Sequence, residues 1–213
     1  MTVKRGKSHV FVGMNFELTD DHKVKIRMDD YISECIDAFQ DVDEELTRKA
    51  ATPAKHNLFD VDDSEIPLDD IRADVFHHIV GKLLYVSKRA RINIDLAVSF
   101  LCMRVAKSNQ QDWMKLKRLL TYLRNTLGLP RVIGAHRLDI LFTWVDASFA
   151  THMDMRGHTG GVISFGTGVV SHKSAKQKIN TKSSTETEVV GASEYLPWTL
   201  WTQRFMAKQR YPI

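Results

Sequence analysis

Apolar and polar positions alternate from Val10 to Leu18 and again from Val24 to Met28, with turn-forming Asp20-Asp21-His22 between them. This predicts a β-hairpin. Tyr31, Ile32, Cys35, Ile36 and Phe39 then recur at helical spacing behind Asp29 or Asp30 as N-cap, which predicts a narrow-faced helix that must lie on something. From Asp41 to Asp70 the periodicity fades, Pro53 and Pro67 appear and acids accumulate, as in an extended surface connection. Three helical patterns follow between Ile71 and Leu127. The first carries Val75, Phe76, Ile79, Val80, Leu83, Leu84 and Val86; the second begins near Ile94. The third, capped near Ser108 or Asn109, aligns Trp113, Leu116, Leu120, Leu123 and Leu127 before Gly128 and Pro130.

Beyond Pro130 the period shortens. Leu138–Val145 is apolar on both faces, which predicts a central strand ended by Asp146. Gly160–Phe165 and Val169–Lys173 predict two more strands around the turn Gly166-Thr167-Gly168. A long helix opens at Ser183, with Ser183 and Glu186, or Thr185 and Glu188, as a capping box. Val189, Val190, Ala192, Leu196, Leu200, Trp201 and Phe205 give it a broad apolar face, and Pro197 should kink it. The whole reads as an α+β chain in three segments: 1–70 with hairpin, helix and acidic connection, 71–130 helical, and 131–213 a mixed sheet with a packed helix.

At 213 residues and 43% hydrophobic content, such a chain can bury a core. No apolar run reaches the roughly 18 residues of a membrane span, and Lys4, Arg5 and Lys7 precede no apolar signal core, so an intracellular location without membrane contact is expected. Cys35 and Cys102 lack metal-ligand spacing and read as buried thiols of a reducing compartment. The net charge of +4 conceals a partition: residues 20–81 carry seventeen acids against seven bases, and residues 82–130 ten bases against two acids. A face that meets polyanions and a solvated helix surface holding Lys107, Lys115, Lys117, Arg118 and Arg124 both fit this asymmetry, and charge alone favours the second.

Asp146 and Glu188 are the candidate chemistry. An acid at a strand end beside an acid on the first turns of a packed helix can converge on a cation, and two-metal phosphodiester hydrolysis needs such carboxylates. From spacing alone, a strand-end cap for Asp146 and a capping box with a helix-dipole interaction for Glu186 and Glu188 take precedence. Asp60-Val61-Asp62-Asp63 is a decoy. As a calcium loop it has Glu65 where Gly belongs, an intruding Pro67, and Ile71 at the twelfth position; as a polymerase hairpin it lacks flanking apolar strands.

Three ordered motifs carry a resemblance: Val145-Asp146-Ala147-Ser148-Phe149-Ala150, Asp154-Met155-Arg156-Gly157-His158-Thr159-Gly160-Gly161 and Ser183-Ser184-Thr185-Glu186-Thr187-Glu188. They resemble the ribonuclease H domain of copia-type retrotransposon polyproteins. Gly81-Lys82-Leu83-Leu84-Tyr85, Arg91-Ile92-Asn93-Ile94 and Trp113–Leu123 resemble motifs upstream in the same family, and Phe11-Val12-Gly13-Met14 resembles the hairpin closing the reverse transcriptase palm. The resemblance implies that Asp146 and Glu188 are catalytic, metal-binding carboxylates using magnesium or manganese, with Glu186 the cap. It places Gly13 and Met14 in a primer-grip-like hairpin and residues 71–130 in a thumb or connection region. Lys176, Gln177, Ser183 and Ser184 would lie near an RNA:DNA hybrid; Lys115, Lys117 and Arg118 are further candidate nucleic-acid contacts from the charge of the basic helices and not from the resemblance.

A complete ribonuclease H site takes a third aspartate on a strand after this helix and a fourth on a later helix, and residues 206–213 contain neither. Nor do paired palm aspartates precede Phe11. The expectation is therefore a truncated ribonuclease H-like domain, ancestrally hydrolysing RNA in hybrids and inactive as it stands. The alternative is a non-catalytic nucleic-acid-binding or scaffolding remnant that uses the basic helices.

Overall fold

The computed structural model describes residues 5–43, 46 and 49–213. The chain divides into two compact units, one formed by Met1–Glu17 with Lys25–Arg131 and the other by Leu18–Val24 with Val132–Ile213. The segments 1–70 and 71–130 thus lie together in the first unit, apart from the hairpin tip. The architecture is α+β.

In the first unit β1 (Ser8–Phe11), β2 (Met14–Leu18) and β3 (Val24–Arg27) are neighbours in that order. The single strand expected over Val10–Leu18 is interrupted. Val12 and Gly13 both take positive φ, 50° and 73°, the signature of a two-residue hairpin turn, so Phe11 pairs with Met14. The alternation runs on through the turn, so polarity alone does not reveal it. Helix α1 (Asp29–Gln40) is capped at Met28 without a side-chain bond, and Asp29 and Asp30 lie in the first turn, where they favour the helix dipole instead of serving as N-cap. Ile32, Cys35, Ile36 and Phe39 are its buried stripe.

Asp69 caps α2 (Asp70–Arg89) by accepting from the Arg72 amide. A single 3-10 turn at Ile92–Ile94 leads to α3 (Asp95–Arg104), and α4 (Gln110–Asn125) opens with a reciprocal capping box between Asn109 and Asp112. Phe76, Leu83, Leu116, Leu119, Leu120 and Leu123 are fully buried, each worth roughly 1.5–3 kcal/mol relative to exposure. Phe39 stacks on Trp113 with ring centroids 4.6 Å apart. Three polar groups inside this core are paired. The Arg91 guanidinium, 2% exposed, donates to the carbonyl and hydroxyl of Thr126 and to Asn93, tying down the end of α4. Lys88 donates to both oxygens of buried Asp95, and Arg104 donates to buried Asp112. The acidic connection is more than surface loop, because its Leu46, Ala50, Leu58 and Leu68 are buried.

The second unit holds β4 (Arg131–Ala135), β5 (Phe142–Ser148), β6 (His158–Ser164), β7 (Gly166–Thr167), β8 (Ser171–Lys176) and α5 (Ser184–Lys208). Its three-stranded sheet has the order β5-β6-β8 with both pairings antiparallel, and β7 pairs antiparallel with β4. The expected mixed sheet is corrected accordingly, since short turns between sequential strands enforce antiparallel pairing. The expected central strand is also corrected: β5 begins only at Phe142, lies at the sheet edge, and continues past Asp146 to Ser148. One of its two apolar faces stays open, with Trp144 55% exposed.

Helix α5 sits close on β5 and β6 through small residues. A Cβ on Gly191 would meet Ala147 and Thr159, a Cβ on Gly161 would enter the Tyr195 ring, and Thr199 donates to Thr143. Thr187, Gly191 and Tyr195, spaced by four, are its buried residues. The broad apolar face read from the sequence is therefore not the core face: Val189, Leu196, Leu200, Trp201 and Phe205 are exposed, the first three on the side of the helix away from the contact stripe. The helix runs through Pro197.

Candidate functional site

The first turns of α5 and the strand ends beside them bring together most motif residues of the second unit. Ser183 is the N-cap and accepts from the Glu186 amide, while the Glu186 carboxylate accepts from the Lys182 amide. Glu186 is thus committed to the cap, and Ser183 with it. Thr187 is fully buried, with its hydroxyl against Thr181. Gln177, 1% exposed, donates from Nε2 to the Thr159 hydroxyl and the Thr187 carbonyl at 2.9 Å each. It fastens the β8–α5 loop to the helix, so its amide is internal and not presented to a ligand. Ser184 is exposed.

Asp146 and Glu188 are not brought together by this geometry. Asp146 is in register with Gly160 and shares the sheet face of Phe142, Trp144 and Ser148, whereas α5 lies on the face of Thr143 and Ala147. The Asp146 carboxylate accepts from the amide of Ala147, its own neighbour, at 2.9 Å. Glu188 is exposed beside buried Thr187. Among the described residues, no group of three His, Cys, Asp or Glu side chains could hold a metal ion. The donor set does not fit the two-metal magnesium or manganese site that the resemblance implies.

A chain of polar groups is buried on the Asp146 side of the sheet. His152 Nε2 lies 3.1 Å from His158 Nδ1, and His158 Nε2 lies 2.7 Å from the Ser174 hydroxyl. Burial first, and Lys176 second, hold the His152 imidazole below its ordinary value. Asp154 occupies the turn between β5 and β6, where it pairs with Lys176 at 2.6 Å and Arg156 at 3.5 Å; the Lys176 hydrogen bond holds its carboxyl below the usual range. Lys176 is accordingly engaged within the protein. Lys173, Lys178 and Lys182, on β8 and the loop to α5, carry no ion pair among the described residues. Sequence reading passed over these three, although four lysines within ten residues, 173–182, were the available signal.

The remaining candidates lie in the first unit. Gly13 forms the β1–β2 turn and Met14 is buried. The basic positions of α4 are not a solvated face. Lys115 donates to the Asp60 carbonyl and lies 4.4 Å from the centre of the Phe100 ring, Lys117 pairs with Asp43 at 3.0 Å, and the Arg118 Nη2 donates to the Thr52 hydroxyl. The acidic connection folds over them with one carboxylate, that of Asp43, and with the neutral oxygens of Asp60 and Thr52.

No family model matches the chain, and no solved structure does. Among curated proteins it is 32% identical over 128 residues to a retrovirus-related Pol polyprotein from transposon TNT 1-94 of Nicotiana tabacum, covering 60% of this chain and 10% of that protein. It is 31% identical over 114 residues to an uncharacterized mitochondrial protein of Arabidopsis thaliana, covering 53% of this chain and 47% of the other. It is 29% identical over 123 residues to secreted RxLR effector protein 161 of Plasmopara viticola, covering 57% and 87% respectively. The chain thus spans at most about half of the first two relatives. The similarities support a sequence derived from a retrotransposon polyprotein.

Proposed function

We propose that this chain descends from the reverse transcriptase and ribonuclease H region of a copia-type retroelement, and that it contacts nucleic acid without cutting it. The observation that carries this reading is the divergence of Asp146 from the face that α5 occupies, which removes the convergence that metal-dependent hydrolysis needs. Similarity to the Pol polyprotein supports the ancestry. Half-buried Lys173 and exposed Lys178 and Lys182 supply the contact, since lysines without an ion pair among the described residues release counterions when set against phosphates.

The test is binding of a labelled RNA:DNA hybrid, followed by fluorescence anisotropy across a salt series. Affinity is expected to fall steeply with salt. Replacing the three lysines with glutamine is expected to lower the log–log slope by roughly 2 to 3, about 0.9 for each phosphate that no longer meets a lysine. An unchanged slope in that variant would contradict the assignment.

A further inference from the structure

Strand β5 leaves one side of its sheet unpaired. It is the outer strand of the order β5-β6-β8, and among the described residues no strand or isolated bridge lies on its other side. The ladder fixes where its free backbone groups point. Ile163, in register with Thr143, gives its carbonyl to the Val170 amide on the side of β8, so Thr143 and Ile163 exchange no hydrogen bonds and Thr143 turns its N–H and C=O outward. Val145 and Ala147 follow at the strand's period of two. The Ala147 amide accordingly bonds to the Asp146 carboxylate beside it.

Asp146 is the one guard on this edge. Phe142–Ser148 holds no proline and no lysine, and its register with β6 runs without a bulge, so the other features that keep edge strands from pairing are missing. Phe142 and Trp144, stacked with ring centroids 5.7 Å apart, stand exposed on the sheet face that α5 leaves open. Such a strand can pair antiparallel with its own copy about a two-fold axis, and its residues select the register. With the axis at Val145 all seven residues pair: Val145 meets Val145, Thr143 meets Ala147, and every outward N–H and C=O of these three finds a partner. Trp144 then faces Asp146 of the second copy, and the two Trp144 side chains are diagonal neighbours roughly 7–8 Å apart, within reach of aromatic rings. An axis at Asp146 would instead set carboxylate against carboxylate.

We infer that the open edge of β5 pairs with a second copy of this chain, joining two three-stranded sheets into one of six strands. On pairing, the Ala147 amide exchanges the Asp146 carboxylate for the Thr143 carbonyl of the second copy. Any extended segment could satisfy the same backbone groups. The chain's own copy also brings an aromatic ring beside each Trp144 and keeps the two Asp146 carboxylates out of register with each other. The inference goes beyond the nucleic-acid contact proposed for the second unit and does not depend on it.

The experiment is sedimentation equilibrium of the whole chain over a concentration series. The expected result is a reversible association that stops at two chains. Trp144→Glu, at an exposed position, sets a carboxylate opposite Asp146 on each side of the axis and is expected to weaken the dimer about tenfold. Adding Asp146→Lys to it turns each repelling pair into an attracting one and is expected to restore the native affinity to within about threefold. Val145→Pro removes an outward N–H that β6 does not use, so an edge strand can accept it, and it is expected to weaken the dimer at least as much. That variant decides the matter if Trp144→Glu does not fold. A chain that stays monomeric throughout the series leaves the edge to some other occupant and overturns the inference. So does a dimer unchanged in Trp144→Glu and Val145→Pro, or one lost in Trp144→Glu and not restored by Asp146→Lys.

Discussion

Gly161 on β6 lies directly against the ring of Tyr195 on α5: a Cβ at 161 would come within 2.3 Å of the ring. This is where the helix comes down onto the sheet, and only hydrogen at 161 lets the ring seat. Gly161→Ala is expected to destabilise the second unit by about 2–3 kcal/mol through overpacking. Gly160→Ala, one position along and with open space around its Cβ, is the control and is expected to cost much less. Chemical denaturation of the two variants checks the difference.

Tyr195 also reports its own burial. Desolvation pushes its phenol up to about 12 from an ordinary value of 10. The folded state therefore retains a proton that the unfolded chain releases, so this contribution to stability is intact below pH 10 and is lost as pH rises toward 12. Ultraviolet titration of tyrosinate, compared with Tyr195→Phe, should show the Tyr195 phenol ionising late and with unfolding.

Acid acts on the other side of the sheet. His152 is held below its ordinary value of 6.5 by burial, so the folded state resists protonation there. Stability from this group is present above pH 6.5 and is lost as pH falls through the depressed value. Thermal melts between pH 7.5 and 5 should fall for the native chain and fall less for His152→Gln.

In the first unit Asp112 is the sharpest test of the core. Its carboxylate is fully buried, takes Arg104 at 3.0 Å and caps α4 through the Asn109 amide. Asp112→Ala removes the buried partner of Arg104 and leaves it the exposed Asp63 at 3.7 Å and the Lys107 carbonyl, for an expected loss of about 3 kcal/mol. A loss below about 1 kcal/mol, the range of a surface ion pair, would contradict the burial argument.

These sites show how far the sequence could be read. Periodicity located the five α-helices of the described residues, though not the 3-10 turn at Ile92–Ile94, because stripes such as Trp113, Leu116, Leu120 and Leu123 meet a continuous core. It misread α5. There the contact stripe is Thr187, Gly191 and Tyr195, two of them small, so the large apolar residues marked the wrong face. Strand polarity likewise could not separate a central strand from the edge strand β5, since both can be apolar on two faces. The turn at Val12-Gly13 was hidden by alternation that continues through it. At the candidate site, the cap formed by Ser183 and Glu186 was legible because capping is local chemistry. The relation of Asp146 to Glu188 was not, because a one-residue change of strand face is decided by register with β6. The charge partition was visible, but its use inside the chain, Lys117 to Asp43 across more than seventy residues, was not.

The most direct test of the central claim incubates the whole chain with a labelled RNA:DNA hybrid in magnesium or manganese and follows binding and strand length together. The expected result is a salt-sensitive complex from which the RNA strand is recovered intact, the same for native chain and Asp146→Asn. Metal-dependent cleavage of the RNA strand that disappears in Asp146→Asn would contradict it.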